Sequence, residues 1–335
     1  MQKSVRMEDI AKQLGVSTVT VSKALSGKDG VGDSLRAKIK ALASEMGYVI
    51  SPRMRDSKNK EPSDIGVLIS YRFVSSKDSF YWQMYEKLVS RLQANDYYAI
   101  LEILSTQDEN AGILPRLLRR IGGLIVIGRL ADGYLQHLKE FVTIPIIFLD
   151  SYDHTNYTNA VISNGYYGMY TMTNHLISMG HRDIVFVGSL EATSSISDRF
   201  FGFWRSMSEH NIPVDPRNCI RDREDDGLIR IKLPDVLPTA FACNCDNTAY
   251  VMIQALKERN IRVPEDVSVV GFDNCILSDY SEPTITTYAV DIDGMAFACV
   301  NSLIRKITTS YETDHIIVID GKMIIKGSVA PPPRL

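Results

Sequence analysis

The chain has 335 residues, 45% hydrophobic and 23% charged, with a formal net charge of −3. These are ordinary globular proportions, so they exclude a disordered or fibrous chain and leave room for two or three compact domains. The charge is unevenly placed: residues 1–60 carry 12 Lys and Arg against 6 Asp and Glu, and the remainder 25 against 34, so +6 and −9 make up the −3. A basic segment on an acidic body points to an anionic partner for the first and a different task for the second.

At the N-terminus, MQKSVRMEDI lacks the apolar middle of a signal peptide, and no apolar run approaches the roughly 18–20 residues of a membrane helix. A cytoplasmic chain without membrane contact is expected. Met7, Ile10, Ala11 and Leu14 then recur at helical spacing until Gly15 stops the run. Ser17 is placed to cap a second helix that carries Val21 and Leu25 on one face and ends at Gly27. Leu35, Ile39, Leu42, Ala43 and Met46 form a third apolar stripe, closed by Gly47. Three short helices of this kind can share one small all-α core.

The tight turn between the first two helices predicts a helix-turn-helix, whose second helix enters the major groove of DNA. Thr18 with Ser22, and Val19 with Lys23, make two i, i+4 rows pointing away from the core. An outward-facing Val19 is explained by contact with a thymine methyl, and Lys23 has the reach for a guanine edge or a phosphate.

From Ser51 to Asp64 the string SPRMRDSKNKEPSD holds two prolines, several basic residues and only Met54 as an apolar side chain, as in a linker. Beyond it, buried-strand runs at Ile65–Ile69, Tyr98–Leu104, Leu124–Ile127, Ile146–Leu149, Ile184–Val187, Phe241–Cys243 and Val267–Val270 alternate with helical patterns. The helices are expected at Tyr81–Gln93, Tyr166–Met179, Arg199–His210 and Thr248–Glu258. Such alternation predicts parallel, doubly wound sheets, and so many units favour two α/β lobes with a cleft between them.

The string MEDIAKQLGVSTVTVSKALSG, followed by MGY at the end of the third helix, resembles the N-terminal domain of the LacI/GalR family of transcriptional regulators. The resemblance implies that Thr18, Val19 and Lys23 read bases, while Ser17, Thr20, Ser22, Ser26 and Tyr48 contact the DNA backbone or position the reading helix. It also implies a hinge helix that sets an apolar wedge in the minor groove, which places Arg53, Met54 and Arg55 at the DNA. Here the chain departs from the family pattern: Ser57 stands where the wedge leucine is expected, which leaves two readings, Met54 as the apolar substitute or no minor-groove wedge.

The resemblance continues to the end of the chain through IGVLIS, IPIIFLDS, GYYGMYTMTNHLISMGHRDIVFVGS, SDRFFGF and VPEDVSVVGFDN. It implies a body similar to periplasmic sugar-binding proteins. The expected organisation is a head over residues 1–50, a hinge over 51–63 and a two-lobed body over 64–335. Lobe 1 takes about 64–160 and 292–322, and lobe 2 about 161–291 and 323–335. Arg199 matches the family's ligand-contacting arginine and Asp273 its ligand-accepting aspartate, while Asp150 and Asp246 end strands in comparable positions. Phe80, Tyr81 and Trp82 fall where the family sets side chains against the ligand. Two acceptors with one arginine suit a polyol, so a carbohydrate effector is expected ahead of a nucleobase.

Other motifs carry less. Gly27 to Gly32 lacks the Gly-Lys-Ser/Thr ending of a phosphate loop, and the acidic run from Asp222 meets Leu233 where a calcium loop needs a closing carboxylate. Five cysteines, Cys219, Cys243, Cys245, Cys275 and Cys299, have neither metal-ligand spacing nor a disulfide framework, and Ser194 and Ser195 lack a nucleophile elbow. No metal, cofactor or catalytic activity is expected. The expected function is that of a homodimeric repressor on a roughly palindromic double-stranded operator, set by a small ligand. A transport-type binding protein and a sugar-modifying enzyme are the competing readings.

Overall fold

In the computed structural model, which describes residues 7–25, 30–46, 64–74, 80–152, 159–215, 219–224, 228–309 and 315–333, the chain divides into units Met1–Ser63 and Asp64–Leu335. The first unit holds helices α1 (Met7–Leu14), α2 (Thr18–Leu25) and α3 (Asp33–Glu45). Gly15 adopts φ +63°, a left-handed conformation open to glycine without strain, and this reverses the chain within three residues. The apolar stripes read from the sequence meet in one core of Ile10, Ala11, Val21, Ala24, Leu25, Ile39 and Ala43.

In the second unit, lobe 1 is built on a six-stranded parallel sheet in the order β10-β5-β4-β3-β1-β2. Its strands are β1 (Asp64–Ser70), β2 (Tyr98–Leu104), β3 (Gly123–Ile127), β4 (Ile146–Leu149), β5 (Ala160–Ser163) and β10 (Ile316–Ile319). Successive side chains of a strand face opposite ways, and both faces are apolar, as a parallel sheet covered on both sides requires. Ile65, Val67 and Ile69 pack under α4 (Phe80–Gln93) and α11 (Ile292–Thr309), while Leu68, Leu124 and Val126 pack with the layer that includes α6 (Asp132–Phe141). The short helix α5 (Thr106–Ala111) follows β2.

Lobe 2 has a parallel sheet of β6 (Ile184–Val187), β7 (Ala240–Cys243) and β8 (Ser268–Val270) and an antiparallel pair of β9 (Thr287–Ala289) with β11 (Lys322–Ile324). Helices α7 (Gly165–Ser178) and α8 (Ser194–Glu209) cover one side, α9 (Asp246–Glu258) the other, and α10 (Leu277–Tyr280) follows β8. The last described residues belong to this lobe: Val269 N–H donates to Ser328 O at 2.9 Å, and the His181 ring bridges Thr239 Oγ1 and Ala330 O.

Three described segments pass between the lobes, at residues 163–165, 289–292 and 319–322, with Asn164 Nδ2 donating to Asp320 Oδ1 at 2.7 Å. The first passage falls at Asn164, beyond the expected position near residue 160, because β5 completes its pairing with β4 and β10 first. Helix α8 begins five residues earlier than its apolar pattern suggested. Thr193 caps it by accepting from Ile196 N–H at 3.3 Å, so the Ser/Thr run is a helix start. Among the described residues no helix is long and apolar enough to cross a membrane.

Candidate nucleic-acid interface and effector cleft

The head presents α2 with a satisfied N-terminus. Ser17 Oγ accepts from Thr20 N–H at 3.0 Å, which relieves one of the orphan donors of the first turn. At the other end, the Arg36 guanidinium of α3 donates to the carbonyls of Lys23, Ala24 and Val31. That brace had no signal in the apolar pattern. With Val21, Ala24 and Leu25 buried, the outward face carries Ser17, Thr18, Val19 and Lys23 exposed, and Thr20 and Ser22 half-buried. Val19 is 62% exposed, an apolar side chain set on a polar face. Ser26, Tyr48, Arg53, Met54 and Arg55 lie outside the described residues.

In the body, four of the seven expected ligand contacts converge from both lobes. From lobe 1, Tyr81 of α4 donates its hydroxyl to Asp150 Oδ2 at 3.0 Å, where Asp150 ends β4 with φ +61°. From lobe 2, Arg199 of α8 donates Nη2 to Asp273 Oδ1 at 3.0 Å and Nη1 to Asn244 O at 2.7 Å, with its guanidinium 4.0 Å from the Phe272 ring centroid. Their side chains feel one another. Burial pushes the Asp150 carboxyl up to about 6; Arg199 draws it back down and Asp273 adds to the rise. Asp273 is likewise raised to about 6 by burial, against the pull of Arg199. Burial, and next the Asp150 charge, hold the Tyr81 phenol well above its ordinary value, so it serves as a donor. Two carboxyls, a guanidinium and a phenol offer acceptors and donors side by side, the requirement for binding hydroxyl groups, each of which both gives and accepts a hydrogen bond.

Phe80 and Trp82 take another course, packing against the lobe 1 core, with Phe80 edge-on to Tyr81 and Trp82 edge-on to Tyr85. Consecutive helical residues are turned by about 100°, so three neighbours cannot share one target. Asp246 is a correction to the sequence expectation. As the first residue of α9 it is fully buried, its Oδ1 accepting from Thr287 Oγ1 at 2.6 Å and its Oδ2 from Cys275 N–H at 2.8 Å. Both of its oxygens are engaged in bracing the turn that carries Asp273, and none of the side chain is exposed. A side chain at Gly271 would place Cβ 2.2 Å from Asp246 Oδ1, so the close approach depends on glycine there.

The sequence reading missed a second layer of polar groups. Asp222, fully buried, accepts from Ser189 N–H, Arg223 Nη2, Asn244 Nδ2 and Thr248 Oγ1 at 2.7–2.8 Å. Burial would raise this carboxyl, but the Arg223 bond and charge, with Asn244 and Thr248, outweigh it and bring it down to about 2. Arg223 in turn reaches electrostatically to Tyr81 and Asp273. Across the lobes, Tyr152 OH donates to Asp198 Oδ1 at 3.3 Å and Arg129 Nη1 to Glu191 O at 3.2 Å. Beside these contacts opens a cavity of about 700 Å³ lined by Arg72, Phe73 and Arg129 of lobe 1 and Thr193, Arg221 and Arg223 of lobe 2 among others. A neighbouring cavity of about 400 Å³ includes Tyr152, Asp198 and Phe201 in its wall. None of these positions shows the apolar periodicity that marks a core, and their partners are distant in sequence, so only the fold reveals them.

Comparison with known proteins follows the same division. Residues 6–51 match the bacterial regulatory proteins of the lacI family, and residues 173–329 match a periplasmic binding protein-like domain. Over 339 residues the chain is 30% identical to the HTH-type transcriptional repressor PurR of Klebsiella pneumoniae, covering 98% of this chain and 97% of that protein. The PurR repressor of Pectobacterium carotovorum is 28% identical over 340 residues, with 98% of each covered. Among solved structures, the lac repressor dimer bound to operator and the anti-inducer ONPF superposes with a TM-score of 0.69 at 22% identity over 98% of this chain and 100% of that one. The transcriptional regulator CelR in complex with cellobiose gives 0.69 at 19% identity over 97% and 99%. These structures establish the fold.

Proposed function

The chain belongs to the LacI family of bacterial regulatory proteins, and on that premise we propose that it acts as a cytoplasmic homodimeric repressor whose hold on a roughly palindromic operator is set by a small polar effector bound between the two lobes. The observation that carries the effector half is the meeting of Tyr81 and Asp150 from one lobe with Arg199 and Asp273 from the other. A ligand held by both pairs ties the lobes in one relative placement, and a regulator whose two placements differ in DNA affinity is thereby switched. A sugar fits this set, since its hydroxyls match the mixed donors and acceptors. Binding, not turnover, is the use to which these groups are put.

On the head, Thr18, Val19 and Lys23 face the base edges, while Ser17, Thr20 and Ser22 hold the helix and meet the phosphates. Ser26, Tyr48 and the hinge residues Arg53, Met54 and Arg55 complete the DNA contact surface in this reading. The test is retardation of DNA from upstream of the protein's own gene, repeated across a panel of sugars and nucleobases. Val19→Ala and Lys23→Ala are each expected to weaken specific retardation by about 1–3 kcal/mol, roughly 5- to 150-fold. Unchanged retardation in both variants removes the reading face, and a change of retardation with a nucleobase but no sugar replaces the carbohydrate assignment.

A further inference from the structure

We infer that the effector carries an anionic group, a phosphate ester or a carboxylate, seated among Arg72, Arg129, Arg221 and Arg223 in the larger inter-lobe cavity; the inference rests on the effector-binding reading above and narrows its ligand class. Among the described residues that line this cavity, four guanidiniums stand against two carboxylates, Glu191 and Glu224, and both of these are exposed. The arginines come from both lobes, two from each. An anion bridging them adds to closure what the hydroxyl-binding cluster alone does not supply.

Two of the four are fixed from the buried side. Arg72 donates Nη2 to Glu109 Oε1 at 3.2 Å and to Arg129 O at 2.6 Å. Glu109 is 4% exposed and also accepts from Ser70 Oγ and Ala131 N–H, so its charge is spread over neutral donors behind the cavity wall. Arg223 lies on the fully buried Asp222, whose oxygens are shared with Ser189, Asn244 and Thr248. The arginine side chains remain 40% and 23% exposed while their carboxylates are 2% and 0%. Each guanidinium is thus oriented by a carboxylate behind the wall, Arg72 through Nη2 and Arg223 through Nε and Nη2, while the rest of the group stays exposed to the cavity. Among the described residues the ion pair of Arg129 is with Asp132, 62% exposed, a pair of little strength in water. Arg221 is exposed at the rim. A neutral polyol is served by Tyr81, Asp150, Arg199 and Asp273, and gives no use to this second set of cations.

The experiment is the melting temperature of the full chain with inorganic phosphate, glucose, glucose 6-phosphate, glucuronate or adenine, ionic strength matched with sodium chloride. Saturable stabilisation by at least one anionic probe, and by glucose 6-phosphate or glucuronate above glucose, is expected, and those two arms separate phosphate ester from carboxylate. Arg221→Gln, exposed and outside the Arg199 cluster, is expected to leave the melting temperature without probe unchanged and to weaken the responding anion about tenfold. Arg223→Lys keeps the charge on Asp222 but loses the fork, and is expected to weaken it as well. An anion response that survives in both variants overturns the inference. Stabilisation by glucose or adenine with none from the anionic probes also overturns it and leaves the effector reading standing, whereas no shift from any probe overturns both.

Discussion

Asp246 keeps a proton that an exposed carboxylate has lost well below neutrality, since burial, and then the neighbouring Asp273, raise it to about 8. The folded state binds this proton more tightly than the unfolded chain does. Its contribution to stability is therefore fully present below the ordinary carboxylate value of 3.8 and is lost as the pH rises through about 8. Asp150 and Asp273 have the same sign with a narrower window, their contributions fading between 3.8 and about 6. Asp222 runs the other way, stabilising above 3.8 and failing only as the pH falls towards about 2. Asparagine mimics a protonated Asp246, with its carbonyl accepting from Cys275 N–H and its amide donating to Thr287 Oγ1. Asp246→Asn is thus expected to keep the melting temperature at pH 7 within a few degrees of the parent and to flatten its fall between pH 5 and 8. A slope as steep as the parent's would show that another group carries it.

At the scale of elements, the head depends on a core of a few side chains and one cap. Ser17→Ala removes the acceptor for Thr20 N–H and is expected to cost about 1 kcal/mol, while Ile39→Ala, at a fully buried position, is expected to cost about 2–5 kcal/mol and to unfold so small a unit. Operator retention is then lost in Ile39→Ala while ligand-dependent melting of the body is kept; simultaneous loss of both would refute independent folding of the two units. These head elements were legible because each announces itself locally, through helical apolar spacing, a glycine stop and a capping serine. Strands β1 to β4 and β6 to β8 were legible as short continuous apolar runs. Helices α5, α6, α10 and α11 and the short strands β5, β9, β10 and β11 were not among the predicted elements. Strands of three or four residues such as Thr287–Ala289 have too few positions to establish a period, and their identity comes from pairing partners far along the chain. The site divides the same way. Asp273 and Asp150 follow strands and Arg199 lies within α8, all in motifs that resemblance can find, whereas Arg72, Arg129, Tyr152 and Arg223 become site residues only when two lobes face each other.

For the whole molecule, the separation of charge between a head segment of +6 and a remainder of −9 sets how DNA binding responds to salt. Phosphate contacts release counterions, so raising salt from about 50 to about 200 mM is expected to lower operator affinity by about 10³-fold or more, and Lys23→Ala is expected to reduce the slope of log affinity against log salt by about one. Affinity that does not fall with salt in a retardation titration would exclude that mode of contact. The woven path of the body has another consequence, which concerns the order of synthesis. Residues 64–163 emerge first and can lay down five strands, but β5 is then a bare edge, and the face that Met295, Cys299, Val300 and Leu303 will cover is open to water. The lobe begun first is therefore closed only after every parallel strand of its neighbour has left the ribosome. A premature stop near residue 290 does not trim a tail; it leaves the DNA-reading head followed by a sheet that lacks its edge strand β10 and its covering helix α11.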